Sequence, residues 1–467
     1  MTRPHCAPQS THLAMLGTCA VAQREIPGRG VGLVAARDIN AGETVVAEHA
    51  LLVGVSEDFR ETCCASCLAP GATTRCAGCH QVVLCGADAC THGSGHGAVV
   101  CAAERIASTR RPPMSIPDRE RLRFLSACAE LRRLHVVNGD AHARGILDAT
   151  LQLCPAVGPN GEGIDAREAS AAERVQPALE AAVAATIAHT DATKELLAAI
   201  AGDLLENASL LAKETKNAFG IMAQHAASSS GHEREAHRRV RGGAVYQLSS
   251  RVNHGCFPNV ARFDNFDGVL SSQTHEFHRA PGALTPSPTE LRLIAMDKIP
   301  AGHELLMSYL PVNEPCASRR RRVRRTFGFS CECERCALEV EWAVQDDAPT
   351  GDEPDGSAFD HEGAAEGGAE GGAESNTELA WDAADAAADA ALEEREASAF
   401  ESLSEDERTR RADRIPATYA LWFVRNMCPV DGCGGTLAPP HTRADHMTCN
   451  YCGENRTDEQ FFAQLRG

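Results

Sequence analysis

The spacing of apolar residues changes twice along the first two thirds of the chain. Residues 24–54 contain a Gly-rich turn, a short strand, a turn at Asn40-Ala41-Gly42 and a second strand of Val and Ala. Across residues 117–225, Leu, Ile and Phe recur at helical spacing, as in "KELLAAIAGDLLENASLLAKE", which predicts amphipathic helices. Short β segments then return in "AVYQL", "LRLIAMDKI" and "ELLMSYL". The pattern predicts a strand region that helices interrupt.

Two stretches lack a regular apolar pattern. Between Cys63 and Cys101 the cysteines crowd together, which is typical of a small module stabilised by metal. Residues 343–394 are Ala, Gly, Asp and Glu repeats, too poor in large apolar residues to offset the entropy of ordering. We expect a disordered linker there, with an Ala-rich half that could be transiently helical. The apolar, Cys-paired residues after it predict a small terminal module.

Charge and composition restrict the class of protein. The chain has 467 residues, 43% of them hydrophobic, which is enough for two or three domains with a sizeable core. The net charge is -19, but residues 341–407 hold 22 Asp and Glu against one Lys or Arg, so the acidity belongs to the linker. The sequence shows no secretory leader and no run of 18 apolar residues, so we expect a protein of the cytoplasm or nucleus.

The 21 cysteines favour zinc over disulfides because many form close pairs. The first cluster supplies eight N or S ligands, as many as two tetrahedral zinc ions need. The alternation of its pairs predicts cross-bracing, with the first and third pairs on one ion and the second and fourth on the other. Cys63 and His92 are spare residues of this region. The ligand pairs are Cys64 with Cys67, Cys76 with Cys79, Cys85 with Cys90, and His96 with Cys101.

Two further clusters follow. The first has three cysteines within six residues and lacks a fourth ligand, which either Cys316 or Cys256 could supply. The second has the spacing of a zinc ribbon. All of these sites are closed by protein ligands, so they predict structural zinc and disfavour metal-assisted hydrolysis. The residues are Cys331, Cys333 and Cys336, then Cys428, Cys433, Cys449 and Cys452.

Residues 251–260, "RVNHGCFPNV", place a histidine, a cysteine and a Pro-Asn pair in one short run. Such a run could be a metal corner, a catalytic His/Cys pair or a chain reversal that cradles a ligand. The residues alone leave these alternatives open.

Four fragments resemble one family in the correct order. "GRGVGLVAARDINAGETV", "NHGCFPN" and "AGHELLMSYL" resemble three segments of the SET domain, and "FGFSCECERC" is similar to its post-SET cysteine cluster. The cysteine module at residues 64–101 resembles the MYND finger. The chain therefore resembles the SET- and MYND-domain family of protein lysine methyltransferases over residues 24–336.

The resemblance implies a mixed, mainly β SET fold of small sheets with a pseudoknot, split by a MYND-type zinc finger and a helical insert. A C-terminal zinc ribbon would follow the acidic linker. The expected domains are 24–62, the N-terminal SET part; 63–101, the finger; 110–240, the helical insert; 241–312, the SET core; 313–340, the post-SET zinc cap; 341–410, the linker; and 411–467, the ribbon-like module.

The resemblance also implies methyl transfer from S-adenosylmethionine to protein lysine, in histones or other proteins. Tyr309 matches the family's catalytic tyrosine, and Phe327 matches a residue of the lysine channel. Phe327 stands where some relatives carry Tyr, which could change the number of methyl groups added. Cys256 becomes the expected fourth ligand of the cap zinc. The residues expected to bind the cofactor are Arg29, Gly30, Gly32, Asn217, Asn253, His254 and Phe329.

Two other functions remain as alternatives: a catalytically inactive adaptor that binds protein partners, and a zinc-ribbon protein that binds nucleic acid. The finger could hold a peptide partner. The run "RRRRVRR", residues 319–325, could serve nuclear import or phosphate binding, although we favour a solvated helix face. With 4% aromatic residues and no stacking pattern near this run, sequence-specific nucleic-acid recognition is weakly supported.

Overall fold

The computed structural model describes residues 20–85, 95–153, 166–187, 194–223, 240–264, 289–346 and 416–466. The strands are β1 Val21–Ile26, β2 Gly30–Ala35, β3 Thr44–Glu48, β4 Leu52–Val55, β5 Thr74–Arg75, β6 Val83–Leu84, β7 Ala218–Met222, β8 Val240–Val245, β9 Asn253–His254, β10 Val260–Asp264, β11 Leu291–Ala295, β12 Leu306–Met307, β13 Leu437–Ala438, β14 His446–Cys449 and β15 Asn455–Thr457. The helices are α1 Ala98–Thr109, α2 Ile116–Asn138, α3 Ala141–Leu151, α4 Ala166–Ile187, α5 Lys194–Ala201, α6 Leu204–Asn217, α7 Cys316–Phe327, α8 Glu334–Asp346, α9 Ala417–Asn426 and α10 Asp458–Arg466.

Small sheets form the central part of the molecule. The antiparallel sheet β4-β8-β7 and the antiparallel sheet β10-β11-β3 share one apolar core with the β1-β2 hairpin. Strands β9 and β12 pair in parallel, with Asn253 opposite Leu306 and His254 opposite Met307. This short pairing brings residues 253–259 beside residues 304–309, although some fifty residues separate the two segments in sequence. The central sheets therefore assemble the site from distant parts of the chain.

The helices α1 to α6 pack around a second apolar core. Helix α2 begins at Ser115, whose side chain accepts the Asp118 N–H, and ends at Gly139 in the left-handed conformation. Leu122, Leu125 and Cys128 turn inward at helical spacing. Leu52 of β4 and Val245 of β8 belong to the same core, so the helical block is fixed to the central sheets.

The C-terminal module packs directly on the central sheets. Ala438 of β13 lies in one apolar cluster with Ile294 and Met296. The Val312 N–H donates to the Gly434 carbonyl at 3.3 Å. A Cβ atom at Gly42 would lie 2.3 Å from the His441 carbonyl oxygen, so this close approach requires glycine. The module is therefore part of the same packed body as the site.

Glu48 at the end of β3 organises the loop that leads to residues 251–260. Its carboxylate accepts the N–H groups of Gln247, Leu248 and Ser249 at 3.1, 3.0 and 2.5 Å. A carboxylate that receives several backbone donors makes strong, charge-assisted hydrogen bonds. Glu48 thus fixes the start of the segment that carries Val252, Asn253 and His254.

We expect Glu48→Gln to destabilise the fold, because an amide has one acceptor oxygen and its NH₂ group faces the N–H donors. The expected loss is about 1–3 kcal/mol in the free energy of unfolding, measured by urea denaturation. Glu61→Gln is the matched control, since Glu61 pairs with Arg75 on the exposed surface and its loss costs about 0–1 kcal/mol. Equal effects of the two substitutions would contradict the role given to Glu48.

The predicted fold class is confirmed: small sheets and helices are combined with several cysteine clusters. Some boundaries differ from those predicted. Residues 110–240 are not only helical, because β7 at their end pairs with β8 and extends the central sheet. Helix α8 runs past residue 340 to Asp346, which carries the cap into the region assigned to the linker. The rest of the expected linker, from residue 347, lies outside the described residues.

In the described part of the chain, every helix is too short or too polar to cross a membrane.

Candidate functional site

A cavity of about 820 Å³ lies between the central sheets, helix α7 and the C-terminal module. We call it the cleft. Asn217, Phe219 and Val252 line it from the central part, and Tyr309 and Phe327 line it beside the cap. The C-terminal module contributes residues 432–436, Asn450 and Tyr451. The cleft is therefore bounded by elements from both ends of the sequence.

Tyr309 follows β12 and is held at the cleft by two hydrogen bonds. Its hydroxyl donates to the Val252 carbonyl at 2.7 Å, and its backbone N–H donates to His254 Nδ1 at 3.1 Å. Its ring lies 4.7 Å from the Phe327 ring between centroids. Because the hydroxyl proton is given to Val252, the phenolic oxygen acts as an acceptor toward other groups. Phe327 and Tyr309 thus form an aromatic boundary of the cleft.

His254 joins Tyr309 to the cysteine cluster behind it. The imidazole is buried, and Nδ1 accepts the Tyr309 N–H, which places the ring proton on Nε2. Nε2 lies 3.2 Å from Cys256 Sγ, to which it donates. Burial lowers the pKa of His254 to about 4, so the ring is neutral near pH 7. The Phe329 ring lies 6.1 Å from the His254 ring and is 38% exposed.

The Gly-rich turn of the β1-β2 hairpin lies beside Asn253. Asn253 Nδ2 donates to Glu304 Oε1 at 2.8 Å, and the Arg29 guanidinium lies 3.3 Å from the other oxygen of Glu304. A Cβ atom at Gly32 would come 2.8 Å from Asn253 Nδ2, so glycine permits this approach. The structure therefore brings Arg29, Gly30, Gly32 and Asn253 together. Sequence reasoning assigned no role to Glu304, although it lies in the "AGHELLMSYL" fragment that resembles a SET segment.

Asn217 lies on a different side of the site from Asn253. It is the last residue of α6, is buried, and donates from Nδ2 to the Lys213 carbonyl at 2.7 Å. Its own carbonyl accepts the Ser250 hydroxyl at 3.1 Å. Asn217 lines the cleft with Tyr309, whereas Arg29, Gly32 and His254 are not among the residues that line it. Of the seven residues expected to bind a cofactor, Asn217 is therefore the one that lines the cleft.

Cys256 lies with the three cysteines of the cap, so of the two candidates for a fourth ligand the structure selects Cys256. Its Sγ lies 3.9 Å from that of Cys331 and 3.6 Å from that of Cys336, and Cys333 completes the group. A tetrahedral ion with metal–sulfur bonds of about 2.3 Å places its sulfurs about 3.8 Å apart. The cluster therefore fits one metal ion. Cys316 lies outside it, with Sγ 4.0 Å from the Cys336 carbonyl.

The thiols of this cap cluster differ in acidity. Hydrogen bonds from Cys256 and Cys331 lower the pKa of Cys333 to about 6. Hydrogen bonds from its cysteine neighbours, Cys256 foremost, also lower the pKa of Cys336 well below its ordinary value. Arg319 adds a donor, with Nη2 at 3.8 Å from Cys336 Sγ. Thiolates grouped in this way attract a cation.

The other cysteine clusters have similar geometry. In the C-terminal module, the Sγ atoms of Cys428 and Cys452 lie 3.6 Å apart, as do those of Cys433 and Cys449. The N-terminal module holds Cys76, Cys79, His96 and Cys101 in one group and Cys64, Cys67 and Cys85 in another. This division matches the predicted cross-braced pairing. Cys90 and His92 lie outside the described residues, and buried Cys63 belongs to neither group.

The arginine run of α7 is not a uniformly solvated face. Arg319 is fully buried and donates to the Glu314 carbonyl and to Glu339, and Arg322 pairs with Glu314 at 2.5 Å. Arg320 and Arg324 are exposed. Our expectation of a solvated face was therefore wrong for Arg319, because the cap needs a cation beside its thiolates and carboxylate.

The contribution of the C-terminal module to the cleft was missed by sequence reasoning. Phe257 of the "NHGCFPN" fragment contacts the Trp422 ring at 5.1 Å between centroids, and the Arg335 guanidinium lies 4.4 Å from the Phe423 ring centroid. These aromatic contacts fix α9 against the cap. The sequence does contain a short aromatic run before Cys428, the first ribbon cysteine. The spacing of these aromatic residues did not indicate which surface they would cover.

Comparisons with known proteins agree with one another. A family model described as "SET domain" matches residues 30–310. The chain is 27% identical to Histone-lysine N-methyltransferase ASHR2 of Arabidopsis thaliana in an alignment 461 positions long, which covers 93% of this chain and 95% of that protein. The span of the family model includes residues 63–101, and its description names no MYND finger.

Shorter matches cover about a fifth of the chain. Histone-lysine N-methyltransferase SMYD1 of Homo sapiens is 27% identical over 100 residues, 21% of this chain and 19% of that protein. Histone-lysine N-methyltransferase SET5 of Saccharomyces cerevisiae strain YJM789 is 31% identical over 98 residues, 21% of this chain and 15% of that protein. The crystal structure of the SET domain of LSMT bound to lysine and AdoHcy is 12% identical, covers 70% of this chain and 60% of that chain, and has a TM-score of 0.27, too low to support an argument.

Proposed function

Because the chain belongs to the SET domain family, we propose that it transfers the methyl group of S-adenosylmethionine to the side-chain amine of lysine in a protein substrate. The observation that carries this proposal is the position of Tyr309. Its side chain lines the cleft, and its backbone is bonded to His254, beside the Asn253 and Gly32 group. In this proposal a protein segment enters the cleft, and the cofactor occupies the region around Asn253 and His254 beside Tyr309 and reaches the cleft at Asn217.

The proposed chemistry is a direct displacement. S-adenosylmethionine, when bound, would supply an activated methyl group: the methyl carbon–sulfur bond would break as the lysine nitrogen forms the new carbon–nitrogen bond, and the neutral thioether S-adenosylhomocysteine would leave. The amine must first lose a proton to solvent water, since a lysine ammonium has no lone pair. An apolar slot favours the neutral amine by desolvation. The phenolic oxygen of Tyr309 then orients the amine by accepting one of its hydrogens, and the aromatic boundary with Phe327 excludes water.

The same proposal assigns the surrounding residues. We infer that Arg29, Gly30, Gly32, Asn253, His254 and Phe329 hold the cofactor, and that Asn217 contacts it from the end of α6. The close approach of Gly32 to Asn253 leaves backbone accessible at the hairpin, and exposed Phe329 offers an aromatic face for the adenine. The substrate would be a protein lysine, as the names of the relatives suggest, and the place of action the nucleus or cytoplasm.

The cysteine clusters are proposed to bind structural zinc, with residues 63–101 as a MYND-type finger and residues 411–467 as a ribbon. Thiolate and imidazole ligands at tetrahedral spacing suit zinc. We predict that the metal content of the purified protein, measured by inductively coupled plasma mass spectrometry, equals the number of clusters among the described residues, which is four. This count requires Cys90 as the fourth ligand beside Cys64, Cys67 and Cys85.

Cys90→Ser should therefore lower the zinc content by one ion per chain, and Cys63→Ser, the matched control, should leave it unchanged. Both variants change one thiol of the same module. If Cys90→Ser retains all the zinc, the ligand assignment for this residue is wrong. Iron or copper in place of zinc would reject the proposed metal.

The proposed function is tested by cofactor binding and methyl transfer. Calorimetry with S-adenosylmethionine measures binding, and transfer of a labelled methyl group to histones or to a cell lysate measures activity. Binding together with labelled lysine, identified by mass spectrometry, supports the proposal. A folded, zinc-loaded protein that binds no cofactor would instead favour the adaptor, and steeply salt-dependent nucleic-acid binding without transfer would favour the third function.

A further inference from the structure

The carboxylates that line the cleft are already paired within the chain. Among the described lining residues, the acidic ones are Asp264 and Glu314. Both oxygens of Asp264 accept from Arg262 at 2.6 Å. Glu314 accepts from the Ser318 hydroxyl at 2.6 Å and from Arg322 at 2.5 Å. A cationic side chain of a substrate would have to displace one of these partners to gain a carboxylate.

The cations around the cleft outnumber these carboxylates. Lys216, Arg262 and Arg322 line it, and since Arg262 and Arg322 are the partners of Asp264 and Glu314, the surplus among the described lining residues is one cation. Helix α7 adds Arg320 and Arg324, which precede Phe327 by seven and three residues and therefore share its helical face. Because Phe327 lines the cleft, helical spacing places these exposed arginines near its rim, although neither is among the residues that line it. Exposed Glu332 and Glu334 follow in the cap beyond the end of α7 and, like Arg320 and Arg324, are not among the residues that line the cleft.

We infer that the cleft selects lysines whose flanking residues are neutral or acidic, in preference to lysines within a basic cluster. This inference rests on the proposed function and specifies its substrate class. A basic flank is repelled by Arg320 and Arg324 of α7, and the described carboxylates of the cleft are already paired, whereas an acidic flank is attracted to the same two arginines. The polar wall of Asn450 and Tyr451 in the C-terminal module suits uncharged flanks.

Three peptide series test the inference with the full-length, zinc-loaded chain. Each peptide carries one central lysine in a Gly-Ser background, with four aspartates, no charges or four arginines in the flanks. Fluorescence anisotropy measures binding, and methyl transfer is measured on the same peptides. We expect affinity to fall from the acidic to the neutral to the arginine series. The difference in affinity among the three series should become smaller as the salt concentration is raised, because the arginines that contact the flanks are exposed.

The double substitution Arg320→Glu and Arg324→Glu tests whether α7 causes the preference. Exposed ion pairs contribute about 0.2–1 kcal/mol each, so two charge reversals should change the ratio of acidic to arginine peptide affinities by about tenfold or more. The matched control is Arg105→Glu with Arg110→Glu, which reverses two exposed charges of α1 and the residue after it, away from the cleft. The control should retain the wild-type ratio.

The outcomes separate the inference from the proposed function. Preferential binding of acidic peptides without methyl transfer rejects the function and retains the selectivity of the cleft. Stronger or equal binding of arginine peptides, or no binding by any series, overturns the inference. Duplex DNA that binds more tightly than the acidic peptide, and loses its affinity in the α7 variant only, would assign these arginines to nucleic acid and also overturn it.

Discussion

Replacement of Tyr309 by phenylalanine is expected to lower the rate of methyl transfer by about a hundredfold or more while leaving the protein folded. The substitution removes only the hydroxyl, which we propose orients the lysine amine. The ring still packs against Phe327, and the bond from the Tyr309 N–H to His254 is made by the backbone. The lost bond to the Val252 carbonyl should cost about 0.5–1.5 kcal/mol of stability. Single-turnover transfer and urea denaturation measure the two effects.

Tyr246→Phe is the matched control for this prediction. The Tyr246 hydroxyl also donates to a backbone carbonyl, that of Thr289, at the same 2.7 Å, but Tyr246 is fully buried and does not line the cleft. We expect this variant to lose stability and to retain a rate near that of the wild type. A Tyr309→Phe enzyme with a rate within threefold of the wild type would remove Tyr309 from the chemistry. Equal rate losses in both variants would indicate a general effect of stability.

The fold class could be predicted from the sequence because its signals are local. Alternating and helical apolar spacing distinguished the strands from the helices of residues 117–225, and cysteine spacing identified the metal modules. The boundaries of the helices and strands were harder to predict from the sequence than the fold class. Strand β7 follows α6 directly, with Asn217 ending the helix, and no Gly or Pro marks the change. Its strand conformation depends on pairing with β8. The residues that join the two strands in sequence lie outside the described part of the chain.

The site was less predictable because its contacts connect residues that are distant in sequence. Family motifs indicated Asn253, His254 and Tyr309, but no motif indicated that Glu304 would join Arg29 to Asn253, or that Glu48 would bind the loop before them. Likewise, the arginines of the run in α7 have the same side chain but differ in burial. Arg319 is buried while Arg320 is exposed, a distinction that only the packing of α7 on the cap determines.

Cys256→Ser is expected to remove the cap zinc and to weaken cofactor binding by about tenfold or more, with a smaller effect on the rate from the bound complex. Cys256 is adjacent in the chain to the segment that carries His254, and its sulfur lies with those of Cys331, Cys333 and Cys336. The proposed ion therefore connects β9 to the cap that carries Phe329. A serine oxygen is a poor replacement for a thiolate ligand, so the connection should loosen.

Cys316→Ser tests whether this effect is specific. Cys316 lies beside the same cluster and is the other cysteine that could have served as its fourth ligand, yet its sulfur lies outside the group. Zinc content, cofactor affinity and proteolysis of the cap should change in Cys256→Ser and remain unchanged in Cys316→Ser. The reverse pattern would make Cys316 the ligand. Loss of zinc in Cys256→Ser with unaltered cofactor affinity would show that the cap does not support the cofactor side, and the hydrogen bond from His254 to Cys256 would then have only a structural role.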